Sequence, residues 1–77
     1  MIQEHDEIIL TCSLLQYGLA PGDLGTVVLV HQSGMGYEVE FTTLHGETVA
    51  VVTLDASQVR PIQTGEIAHA RELAKVS

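Results

Sequence analysis

The segment Tyr37–Leu54, YEVEFTTLHGETVAVVTL, decides the fold. Its first part alternates Tyr37, Val39 and Phe41 with Glu38, Glu40 and Thr42, the period-2 pattern of a strand with one buried face. His45-Gly46 reads as a two-residue turn, and the residues from Glu47 onward as the returning strand. Antiparallel pairing about that turn sets Phe41 opposite Ala50, Val39 opposite Val52 and Tyr37 opposite Leu54, so that three apolar pairs share one face. A slip of one residue would drive Glu38 and Glu40 into the core, which makes the register strongly specified.

Working upstream, Pro21–Val30 (PGDLGTVVLV) runs from a turn into a strand. Pro presets φ and Gly22 tolerates positive φ, so Ala20–Asp23 reads as a turn; Gly25 then opens a strand that ends at the hairpin loop Ser33-Gly34-Met35. A phosphate-cradling loop would need more glycines and a following helix N-terminus or a P-loop lysine, whereas a valine-rich strand follows here. The paired glycines are therefore read as a bend. His5–Thr11 reads as a first strand, and the long loop Cys12–Asp23, carrying Leu14, Leu15 and Leu19, is expected to fold over an open end of the core.

Downstream, Asp55–Gln58 reads as one helical turn and Val59–Ile62 as a last strand that Pro61 confines to an edge. Five short antiparallel strands, a long first loop, consecutive hairpins and a turn before the last strand predict an all-β, SH3-like barrel over residues 1–62. An OB-fold is the alternative, disfavoured because the chain has little room for its extra helix. Residues 63–77 form a separate tail. Thr64 is a candidate N-cap, and the helix formers through Val76 predict a short C-terminal helix with Ile67, Ala70, Leu73 and Ala74 on one face. A helix of about 12 residues is marginal alone, so it is ordered only if that face docks; a frayed tail is the alternative.

A chain of 77 residues holds one small domain, since domains of this size bury only about 60% of the surface their unfolded chains expose. A deep enclosed active site is not expected. Ten acidic against three basic residues give a net charge of −7, and within residues 1–62 eight acids face Arg60 alone. Such a surface repels phosphate, which argues against nucleic acid as a partner. The lone Cys12 forms no internal disulfide and suits a reducing cytosol. No signal-like opening and no long apolar run is present, so the protein is read as cytoplasmic, soluble and without a membrane partner.

With these segments placed, the chain resembles a family of short bacterial proteins known as domain of unknown function 4926. The resemblance is carried by Gly22–Val28 (GDLGTVV), Tyr37–Phe41 (YEVEF), Gly46–Leu54 (GETVAVVTL), Gln58–Pro61 (QVRP) and Glu66–Arg71 (EIAHAR). It implies no activity, substrate or cofactor and carries over no catalytic residue. What it implies about context is a small stand-alone protein encoded beside another short reading frame, an arrangement that suggests a two-component module such as toxin and antitoxin.

The residues with chemistry to offer do not assemble into a reactive pattern. His5, His31, His45 and His69 lack metal-ligand spacing and Cys12 has no Cys-x-x-Cys partner, so no metal and no cofactor is expected. Cys12 reads as a small buried hydrophobe, Ser57 beside Asp55 as a capping turn, and the pair Glu38 and Glu40 as a solvated strand face. No enzymatic role is expected.

The far side of the sheet is less ordinary. With Val27, Leu29, Val39, Phe41, Ala50, Val52 and Leu54 assigned to the core, the opposite face receives Val28, Val30, Val49 and Val51 around Glu38, Glu40 and Thr42. An apolar patch of this kind marks an interface unless the protein's own loop or tail covers it. The expected function is a non-enzymatic protein-binding module, an antitoxin-like or inhibitory partner of a neighbouring basic protein, with self-association as a homodimer. Its partner-binding residues are Val28, Val30, Glu38, Glu40, Val49 and Val51, with Ile67 and Arg71 from the tail. A nucleic-acid-binding small barrel and an accessory subunit of an enzyme are the alternatives.

Overall fold

Along β3 (Gly36–Thr42) burial alternates residue by residue, with Tyr37, Val39 and Phe41 inside and Glu38 and Glu40 outside. The computed structural model describes residues 1–73. Around β3 it places β1 (Glu7–Leu10), β2 (Leu24–His31), β4 (Thr48–Asp55) and β5 (Val59–Pro61) in one antiparallel sheet of order β4-β3-β2-β1-β5. Single 3₁₀ turns lie at Leu15–Tyr17 and Ala56–Gln58. The fold is all-β, with the strand order and the turn before the last strand that an SH3-like barrel requires. The sheet stays open, because its outer strands β4 and β5 do not pair with each other.

The predicted pairs Tyr37–Leu54, Val39–Val52 and Phe41–Ala50 are all present, although the loop differs from the one expected. The Gly46 N–H donates to the Thr43 carbonyl (2.9 Å) and the Thr43 N–H to the Glu47 carbonyl (2.8 Å), with Gly46 at φ 91°. The turn thus has the three residues Leu44, His45 and Gly46 at its tip rather than two. The extra residue displaces the register by one, and a β-bulge restores it: Thr42 pairs with Thr48 and Phe41 with Ala50, leaving Val49 unpaired.

A second bulge lies in β2. Val27 pairs with Val39 but Leu29 with Glu38, so Val28 is the extra residue and the two faces exchange beyond it. Leu29, assigned to the core by alternation, is therefore outside at 44% exposure, while Val30 opposite Tyr37 packs against the core. Each bulge corrects a face assignment that strict alternation makes.

The largest fully buried side chains are Phe41, Ile8, Leu10, Leu54, Val27 and Val39. The long loop does fold onto them through Leu14 and Leu19, which exchange backbone hydrogen bonds (3.0 and 3.1 Å), whereas Leu15, expected beside them, is 81% exposed. The loop closes on the turn Ala20–Asp23, where the Asp23 N–H donates to the Ala20 carbonyl (3.1 Å) and Gly22 takes φ 97°.

The predicted C-terminal helix is absent from the described part of the tail. Apart from a turn at Thr64-Gly65, residues 62–73 have no regular structure, and all of them are exposed. Ile67, meant to lead the helix's apolar face, is 92% exposed, so nothing offsets the cost of nucleating a helix. Ala74 lies outside the described residues. No helix among the described residues is long and apolar enough to cross a membrane.

Candidate functional site

The β2 bulge decides which apolar residues reach the outer face. Val28 (40% exposed) and Leu29 lie on β2, and Val51 (54%) lies on β4, opposite Glu40 and diagonal to them across β3. Glu38 separates Leu29 from Thr53, and Glu40 separates Thr26 from Val51. Of the eight residues assigned to partner binding, Val28, Val51, Glu38 and Glu40 therefore share this face. Val30 and Val49 do not belong to it, since both are half-buried and pack against the core. Leu29 takes their place, and the signal that would have found it is the bulge, which a VVLV run conceals.

The two glutamates are held as hydrogen-bond acceptors. Glu38 Oε2 accepts from the Thr53 hydroxyl (2.6 Å) and lies 2.7 Å from His31 Nε2, while Glu40 Oε2 accepts from the Thr48 hydroxyl (2.7 Å). The Thr53 hydrogen bond, then that of His31, lowers the Glu38 pKa against a smaller opposing effect of desolvation. A carboxylate stabilised in its ionised form is a poor general base and a good docking point for a cation.

Ser57 and Asp55 form a capping box rather than a reactive pair. The Asp55 carboxylate accepts from the Ser57 N–H (3.0 Å) and hydroxyl (2.5 Å), and the Asp55 N–H donates to Gln58 Oε1 (3.0 Å). Cys12 Sγ, half-buried, lies 3.6 Å from Gln58 Nε2. Among the described residues no three His, Cys, Asp or Glu side chains converge as metal ligands.

The other two predicted residues, Ile67 and Arg71, are on the tail, and Arg71 leads to a second feature. Its guanidinium donates to both oxygens of Asp23, Nε to Oδ1 (2.9 Å) and Nη2 to Oδ2 (2.5 Å), and to the Gly18 carbonyl (3.1 Å). Asp23 Oδ2 also accepts from the Ala20 N–H (2.8 Å). Burial raises the Asp23 pKa, but the Arg71 and Ala20 hydrogen bonds and the Arg71 charge together outweigh it and leave the carboxyl below its usual range. Nearer the barrel, Arg60 forks onto Glu66 (2.9 and 2.6 Å).

Between the tail and the barrel end lies a cavity of about 570 Å³, with Leu19, Leu24, Phe41 and Val49 on one side and Ala68, Ala70 and Leu73 on the other. Sequence reasoning missed it, because Asp23 and Arg71 stand 48 positions apart with no pattern linking them.

The outer strands, the long loop and both 3₁₀ turns fall within one family match, to Domain of unknown function (DUF4926), over residues 4–61. The Glu66–Arg71 stretch lies beyond that match. No curated protein and no solved structure matches the chain. Matched over all five of its strands, the chain belongs to the domain of unknown function 4926 family.

Proposed function

We propose that this protein is a non-enzymatic protein-binding module whose contact surface is the outer face of β2, β3 and β4. The observation that carries the reading is the exposure of Val28, Leu29 and Val51 together around Glu38 and Glu40. Covering an apolar side chain of this size contributes about 1 kcal/mol or more by area, and exposed clusters rimmed by polar groups mark interaction sites. With a net charge of −7, the surface attracts a basic partner and repels nucleic acid.

The partner that fits is a small basic protein encoded beside this one, which the module masks in the manner of an antitoxin. Two copies of the chain meeting through the same face give the homodimer. Measuring binding to the product of the adjacent reading frame tests the reading. Binding is expected to be lost with Val51→Asp while the unfolding temperature holds; a complex indifferent to both Val51→Asp and Leu29→Asp, or no complex with any neighbour, overturns it.

A further inference from the structure

We propose that the surface of the barrel end beneath the tail, centred on Asp23 and the Gly18 carbonyl, is a receptor groove for an arginine-bearing extended segment of a partner protein, and that the tail with Arg71 occupies it in cis. This goes beyond the outer-face reading, because Val28, Leu29 and Val51 do not line the groove.

The acceptors are arranged for a guanidinium. Asp23 presents both carboxylate oxygens to Arg71 Nε and Nη2, and the Gly18 carbonyl takes a further bond from Nη2. That planar fork distinguishes arginine from lysine, whose ammonium is a point donor. The receptor is built without the tail: Asp23 closes the Ala20–Asp23 turn and is oriented by the Ala20 N–H, while Gly18 ends the 3₁₀ turn Leu15–Tyr17. Beside them Leu19, Leu24 and Phe41 give the apolar wall.

The tail has the properties of a replaceable occupant. It is exposed along residues 62–73 and pairs with no strand among the described residues, so Arg71 supplies its far anchor through side-chain contacts alone. Its groove-lining residues define the ligand class: a histidine between small residues, represented by Ala68, His69 and Ala70, then an arginine, then an apolar residue two positions on, represented by Leu73. The body that receives this ligand holds eight acids against Arg60 within residues 1–62, a charge that favours a basic segment from outside. A partner carrying such a segment displaces the tail by adding contacts the tail lacks.

The test uses the full chain with Arg71→Gln and, as probe, the acetylated and amidated heptapeptide IAHAREL, the sequence of residues 67–73. A tethered occupant competes at millimolar effective concentration, so Arg71→Gln is expected to bind the probe at least about tenfold more tightly than the wild type does. Replacing the arginine of the probe by glutamine, or adding Asp23→Asn to the protein, is expected to abolish that gain, and Val51→Asp to leave it unchanged. Absence of saturable binding to an Arg71→Gln chain that melts like the wild type overturns the proposal, as does binding indifferent to the probe's arginine. A wild-type dimer that Arg71→Gln alone dissociates also overturns it, since the occupant is then a second copy's tail.

Discussion

The ring of Phe41 lies against the bare backbone of Gly25: a Cβ on that glycine would stand 2.8 Å from Phe41 Cε1 and 2.5 Å from Val39 Cγ1. Gly25 is buried and pairs with Ile8, so the glycine of the PGDLG entry serves the packing of the core. Gly25→Ala forces two fully packed side chains apart, and a loss of about 1–3 kcal/mol is expected. Urea denaturation measures it; an unchanged midpoint would mean that Val39 and Phe41 move aside without cost.

Phe41 itself is the largest fully buried side chain. Phe41→Ala is expected to cost about 3–5 kcal/mol, a large share of the roughly 5–15 kcal/mol that holds a domain together. The variant should be largely unfolded at physiological temperature by circular dichroism. A melt within a degree or two of the parent would remove Phe41 from the centre of the core.

Under the proposed self-association through the outer face, a dimer is expected at micromolar concentration, and Val51→Asp should separate it. Val51 is more than half exposed, so the charge should leave the barrel folded. Light scattering with an unfolding curve decides it. A wild-type monomer at every concentration sinks the dimer.

Neither duplex DNA nor RNA should bind at moderate salt. Phosphate binding gains its free energy from cations that release counterions, and Arg60 is the sole Lys or Arg of residues 1–62. Salt-sensitive micromolar affinity in a fluorescence titration would contradict this.

The Arg60–Glu66 clasp should outlast mild acid. Hydrogen bonds from Arg60, then from the Gln63 N–H, lower the Glu66 pKa from 4.5 to about 2 against a smaller desolvation effect. Because the folded value lies below the unfolded one, the clasp's contribution is complete above 4.5 and is lost as pH falls from 4.5 toward 2. Carboxyl NMR shifts of Glu66 report the midpoint, and Arg60→Gln should return it to the ordinary glutamate range. A wild-type midpoint near 4.5 would show that the pair does not form in solution.

The β3–β4 pairing was legible because a one-residue slip would turn Glu38 and Glu40 into the core, and the turn at His45-Gly46 sets where the strands begin to pair. Its loop was not: a three-residue tip and a bulge at Val49 shift the register in opposite directions, so a two-residue turn leads to the same pairs. In β2 the run Val27–Val30 offers no polar residue to mark a change of face, and the bulge at Val28 passes unseen. For that reason half of the outer-face valines were misplaced and Leu29 was missed. The tail composition favours a helix, but helices of this length depend on a docked face, and here Arg60 and Arg71 are engaged by Glu66 and Asp23. Contacts made by single ionic side chains across 48 residues leave no periodicity to read.

The Val49 bulge also bears on how the protein behaves in concentrated solution. β4 is an outer strand, and its run Thr48–Leu54, TVAVVTL, has no charge, proline or glycine and is rich in β-branched residues. Straight segments of that composition stack into fibrils. The bulge bends the strand near its start, and Glu47 and Asp55 place a negative charge at either end, so that two such edges meeting head to tail neither match in shape nor escape repulsion. Protonating the flanking acids leaves the bend as the remaining guard, which makes acidic storage, or deletion of Val49, the condition under which this edge begins to recruit its own kind.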